Sequence, residues 1–99
     1  MVKKTKVRRK DLKIGTCWLK DSFWRVIYDI EGYSSTGLPI DICWVDDLGP
    51  GICSHKTMLD WIRDGAKDVS ADEEFWENLD EESRITMFKW FDFGSSKRQ

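Results

Sequence analysis

Ninety-nine residues make a single domain, which excludes an enzyme built from separate cofactor and substrate lobes. At 40% hydrophobic and 34% charged the composition is that of a soluble globular protein, and the longest apolar runs, three or four residues, fall far short of the roughly 20 that span a bilayer. The formal net charge of −2 conceals a dipole: residues 1–13 hold seven Lys or Arg against the single Asp11, a local +6 that leaves −8 on residues 14–99.

The chain opens with a basic arm over residues 1–11, carrying Lys3, Lys4, Lys6, Arg8, Arg9 and Lys10. No apolar stretch follows it, so it does not read as a secretory signal, and a cytoplasmic location is expected. Residues 12–93 are read as one globular domain and residues 94–99 as a polar tail. Cys17–Lys20 and Phe23–Glu31 are rich in aromatic and β-branched residues, and Asp21-Ser22 between them suits a two-residue turn, which predicts a β-hairpin. In its second strand Trp24, Val26, Tyr28 and Ile30 alternate with Phe23, Arg25, Ile27 and Asp29, so the Trp24 side is expected to face the core. Glu31–Pro39 has the Gly, Ser and Pro content of an exposed loop. Ile40–Val45 is a third strand, Asp46–Gly51 a turn, and Ile52–Ser54 a short fourth strand.

The period then changes. Met58, Leu59 and Ile62 recur at helical spacing after Ser54, a good N-cap, which predicts a helix over His55–Asp64 stopped by Gly65. Ser70-Ala71-Asp72-Glu73 matches a capping box and predicts a second helix from Ala71. Arg84–Phe93 is dense in residues of high β propensity and is read as a last strand that pairs with the early sheet, although the acids before it suit a helix start.

The succession of two strands, a loop, a third strand, a Gly turn, a short strand and a Leu- and Trp-bearing helix rests on particular residues. They are Ile14-Gly15, Trp24-Arg25-Val26, Cys43-Trp44-Val45 and Gly51-Ile52-Cys53 leading into Met58-Leu59-Asp60-Trp61-Ile62. The order resembles the small SH3-like barrels of phage and bacterial proteins over residues 12–62. The resemblance implies an α+β fold: an antiparallel SH3-like barrel or curled sheet of four or five strands, with two short helices toward the C-terminus.

Catalytic and metal signatures are weak. Cys17, Cys43, Cys53 and His55 lack the paired spacing that aims two ligands at one zinc ion, and three cysteines without a C-x-x-C pair read as small core residues in a reducing compartment. No G-x-S-x-G, P-loop or H-E-x-x-H occurs, so no enzyme activity and no cofactor is expected. Thirteen aromatic side chains exceed what so small a core needs, so some are expected at the surface. Trp18, Phe23, Tyr33 and Trp44 are the candidates, with Asp72, Glu73, Glu74 and Glu77 as an acidic partner-binding helix.

The function expected from this pattern is a non-catalytic protein-binding module whose partner offers a basic surface. In size, acidity and lack of catalytic motifs the chain is similar to phage-encoded inhibitors of restriction and CRISPR machinery, which block surfaces that hold nucleic acid. The alternative is a nucleic-acid-binding protein in which the arm grips phosphates and barrel aromatics stack on bases. A homodimer through surface aromatics is a third arrangement, and no membrane association is expected.

Overall fold

The computed structural model describes residues 7–97, so Lys3, Lys4 and Lys6 of the arm lie outside the described residues, as does the end of the predicted polar tail. The fold is α+β. A 3-10 turn at Arg9–Asp11 leads into strands β1 (Cys17–Lys20), β2 (Phe23–Tyr33), β3 (Pro39–Asp46) and β4 (Gly49–Ser54). Helix α1 (His55–Arg63), a two-residue strand β5 (Lys67–Asp68), and helices α2 (Glu73–Asn78) and α3 (Glu81–Lys97) follow. The five strands form one antiparallel sheet in the order β4-β3-β2-β1-β5.

The sheet does not close into the expected SH3-like barrel; β4 and β5 remain at its two edges. A small closed barrel has one core, inside. Here the alternating side chains feed two cores, one on each face. Trp18, Ile27, Ile30 and Ile42 meet Met58, Leu59 and Ile62 of α1 on one side. On the other, Cys17, Trp24, Val26 and Val45 meet Val69 and Met87, with Phe75, Trp76 and Leu79 packed around them.

This arrangement corrects the assignment of one buried and one open face to β2. Ile27 and Asp29 are buried along with Trp24, Val26 and Ile30. The register explains how. Ile27 pairs with Trp44 and Asp29 with Cys43, leaving Tyr28 as the extra residue of a β-bulge. One extra residue shifts the alternation, so Ile30 returns to the α1 side already occupied by Ile27.

Local chemistry sets the element ends. The β1–β2 hairpin turns at Asp21, whose φ of 56° is tolerated by a short polar side chain. Ser54 caps α1 by accepting from the Thr57 amide at 3.2 Å, and Gly65 follows the helix at φ 127°, as its place in the sequence suggests. The second helix starts later than expected, at Glu73, with Asp72 as its N-cap. Ser70 is engaged elsewhere: its Oγ accepts from the Cys17 amide at 2.9 Å and donates to Asp68. The predicted C-terminal strand is instead α3, started by Asp80, whose carboxylate accepts from the Ser83 amide and hydroxyl at 3.1 and 2.7 Å. Two helices were expected and three α-helices are present among the described residues.

Residues 7–11, assigned to the arm, pack on the body. Val7 and Leu12 are buried in the α1 core, and Arg63 donates twice to the Val7 carbonyl, at 3.0 and 2.7 Å. No helix among the described residues is long and apolar enough to cross a membrane.

A stacked set of side chains pins the α1 side. The Arg25 guanidinium lies 4.2 Å from the Trp44 ring centroid and 4.4 Å from that of Trp61. Lys20, paired with Asp64 at 2.7 Å, approaches Trp61 at 5.4 Å. The Trp44 ring is laid against the β4 backbone, so a Cβ at Gly51 would come within 2.5 Å of it. Gly51→Ala is therefore expected to lower stability by about 1–3 kcal/mol through overpacking against a rigid ring. Urea denaturation measures this; an unchanged midpoint would contradict the packing described.

Candidate functional site

The helical layer opposite α1 concentrates the acidic charge. From Asp72 to Glu82 the chain holds seven Asp or Glu and no Lys or Arg. Asp72 is half-buried and accepts from the Phe75 amide at 3.2 Å, while Glu73, Glu74 and Glu77 are exposed along α2. Acids in a first turn complement the helix dipole, which favours Glu73 and Glu74 here and Glu81 and Glu82 at the start of α3.

Two indole and guanidinium contacts fix α2. Trp76 donates through Nε1 to the carbonyls of Val69 and Ser70, both at 3.1 Å, and meets Phe75 edge to face at 5.3 Å. Arg84 of α3 donates to the Trp76 and Glu77 carbonyls at the end of α2, where a cation suits the helix terminus. Met87 turns inward and is buried against the sheet, which leaves Ile85 and Phe88 facing out at 61% and 57% exposure. Trp76, Glu77, Arg84 and Phe88 line a groove of about 370 Å³. An accessible phenyl ring, a half-buried indole and a carboxylate thus share one concavity.

The predicted aromatics do not assemble there. Trp18 was expected outside and is 3% exposed, because the strand position opposite Cys17 lies under α1; its Nε1 donates to Thr16 Oγ1 at 3.1 Å. Trp44 is half-buried between Gly51 and Arg25, with its indole beside the Cys53 thiol. Phe23 and Tyr33 are exposed as expected, at 67% and 53%. Tyr33 lines a different groove, with Lys10 and Lys13. Of the arm, Arg8 and Lys10 are exposed, and Arg9 donates to the Pro39 carbonyl at 2.7 Å.

Ile85 and Phe88 were missed as surface candidates because residues 84–93 were read as a strand. The signal for the helix was present in Asp80, spaced three residues before Ser83 and followed directly by Glu81-Glu82.

Two of the thiols, Cys17 and Cys53, are held above their ordinary value. Burial, reinforced by the Asp68 charge, pushes Cys17 up to about 12. Burial also raises Cys53, against the opposing influence of Trp44 and the Arg25 charge. The three cysteines form no disulfide. Among the described residues the one group of side chains that converges at ligand distance is Asp29, Glu31 and Cys43, whose candidate ligand atoms lie within 4.8 Å of one another; the sequence set of Cys17, Cys53 and His55 is not drawn into it. His55 Nδ1 is hydrogen-bonded to the Ile40 carbonyl at 2.9 Å.

Comparison with protein-family models, with curated proteins and with solved structures finds no match for this chain.

The α3 cap carries a pH signature. The hydrogen bonds from Ser83 hold the Asp80 carboxyl below its ordinary value. A folded pKa below the unfolded one means the cap contributes fully above the ordinary carboxylate range and is lost as pH falls through the depressed value. Asp80→Ala is thus expected to lower the melting temperature at pH 7 and to converge on the wild type once the pH has fallen through the depressed value. A constant difference across that range, followed by circular dichroism, would contradict the capping assignment.

Proposed function

We propose that this chain is a non-catalytic protein-binding module whose α2–α3 face docks a basic surface of another protein. The observation that carries the reading is the meeting of accessible apolar side chains and carboxylates on adjacent helices: Ile85 and Phe88 outward, with Glu73, Glu74, Glu77, Glu81 and Glu82 exposed around them. A single exposed ring is ordinary on a protein surface. A ring on the rim of a groove, with five exposed glutamates on the two helices that form it, supplies the two components of an interface, an anchor and electrostatic steering. The hydrogen-bonded ends of α2 and α3 hold this face in place before binding, which reduces the ordering cost of association.

The narrower form of the proposal is an inhibitor. If the basic surface of the partner is one that otherwise holds nucleic acid, the acidic face competes for it as a polyanion does. The phage-type analogy belongs to this form and adds competition with nucleic acid to the test.

The test is capture from nuclease-treated lysate by the wild type and by two surface variants, Phe88→Ala and the charge reversal Glu74→Lys with Glu77→Lys, followed by direct binding to the recovered partner. Phe88→Ala is expected to weaken binding about 30-fold, the loss of one anchor of roughly 2 kcal/mol. The charge reversal is expected to slow association and to flatten its salt dependence. A partner held equally by all three proteins, or recovery that disappears with nuclease, would overturn the reading.

A further inference from the structure

A second concavity lies away from the helical face and has the opposite charge. It is a groove of about 230 Å³ lined by Lys10, Leu12, Lys13, Ile14, Ile30 and Tyr33, and closed by the 37–39 turn. Among the described residues no Asp or Glu lines it. The nearby acid of the arm, Asp11, accepts from the Arg8 amide at 2.9 Å.

Both walls are set by hydrogen bonds rather than by the lysines themselves. Arg9 Nε on the Pro39 carbonyl fastens the 3-10 turn that carries Lys10 to the start of β3. Thr16 donates through Oγ1 to the Lys13 carbonyl at 2.6 Å. Across the groove the Ser34 amide donates to the Leu38 carbonyl at 2.8 Å, the Gly37 amide to the Ser34 carbonyl at 2.9 Å, and the Leu38 amide to Ser34 Oγ at 3.1 Å. Lys10, Lys13 and Tyr33 are all exposed, so cations and an aromatic ring border an apolar floor that is already formed.

We infer that this groove binds single-stranded nucleic acid, with Tyr33 stacking on a base and Lys10 and Lys13 on the flanking phosphates. The ligand class follows from the combination of groups. Cations alone would accept any polyanion, but an apolar floor beside an exposed phenol favours a ligand whose flat rings alternate with phosphates. The groove is smaller than typical small-molecule sites and admits a ring rather than a duplex, whose bases remain stacked inside. Arg8, two residues before Lys10, is exposed as well. The Lys10 and Tyr33 roles are thereby joined in one site, distinct from the acidic face.

The test is fluorescence anisotropy of a short labelled oligothymidine with the full chain, between roughly 50 and 200 mM salt. Tyr33→Ala is expected to weaken binding roughly ten-fold or more without changing the salt dependence, and Tyr33→Phe to restore it. Lys10→Ala with Lys13→Ala is expected to reduce the slope of log affinity against log salt by about 1.4, two phosphates' worth on a single strand. Circular dichroism confirms that each variant is folded. The inference is overturned by absence of binding at the lowest salt or by an unchanged affinity of Tyr33→Ala. It is equally overturned if a duplex of equal length or inorganic polyphosphate binds as tightly, or if a phosphoserine peptide displaces the oligonucleotide at comparable concentration. Phe88→Ala and the Glu74/Glu77 reversal should leave this binding intact, so failure here and failure of the protein-docking reading are separate results.

Discussion

The structure depends on burying both faces of its central strands. β2 and β3 carry apolar side chains in every direction a strand can point, so neither face can be left to water, and the chain must supply cover twice. It does so with α1 on one face and with α2 and α3 on the other. The bulge at Tyr28 makes the two-sided arrangement consistent along β2, because it returns Ile30 to the α1 core after Ile27. A sheet filled on both sides gains nothing by curling into a barrel, and its edges stay open at β4 and β5.

The same constraint distributes charge and aromatic surface. Helices whose inner residues are committed to the sheet must turn their remaining residues outward, and in α2 and α3 those are mostly acids, with Ile85 and Phe88 among them. On the α1 side the surplus aromatics are used internally. Trp44 and Trp61 enclose Arg25, which lets a cationic side chain sit partly buried in an apolar layer. The basic residues of the N-terminal segment are held at yet another place by the Arg9 and Arg63 contacts to backbone carbonyls.

Much of the fold was legible in the sequence where local rules act alone. The hairpin at Asp21-Ser22, the third and fourth strands, the Ser54 cap and the Gly65 stop follow from side-chain chemistry over a few residues. What was not legible depends on tertiary context. Alternation in β2 suggested one buried face because a bulge is invisible to a strict period of two, and the covering of the second face is decided by helices far along the chain. Ser70 has the spacing of a cap but bonds to the Cys17 amide across the sheet. Ile85, Phe88 and Trp90 have high β propensity, yet the Asp80 cap and the inward Met87 make their segment helical, so burial outweighs propensity. For the candidate site, the acidic helix and the exposed Phe23 and Tyr33 were readable; the burial of Trp18 and the Phe88 groove required the second layer to be placed first.

The two-sided sheet is tested most directly by solution NMR of the intact chain across residues 81–89. Helical backbone chemical shifts are expected there, together with nuclear Overhauser contacts from the Met87 methyl to the methyl groups of Val26, Val45 and Val69 in its core. Extended shifts, with cross-strand contacts from the same segment to an edge of the sheet, would contradict the two-sided sheet and remove the acidic face with it.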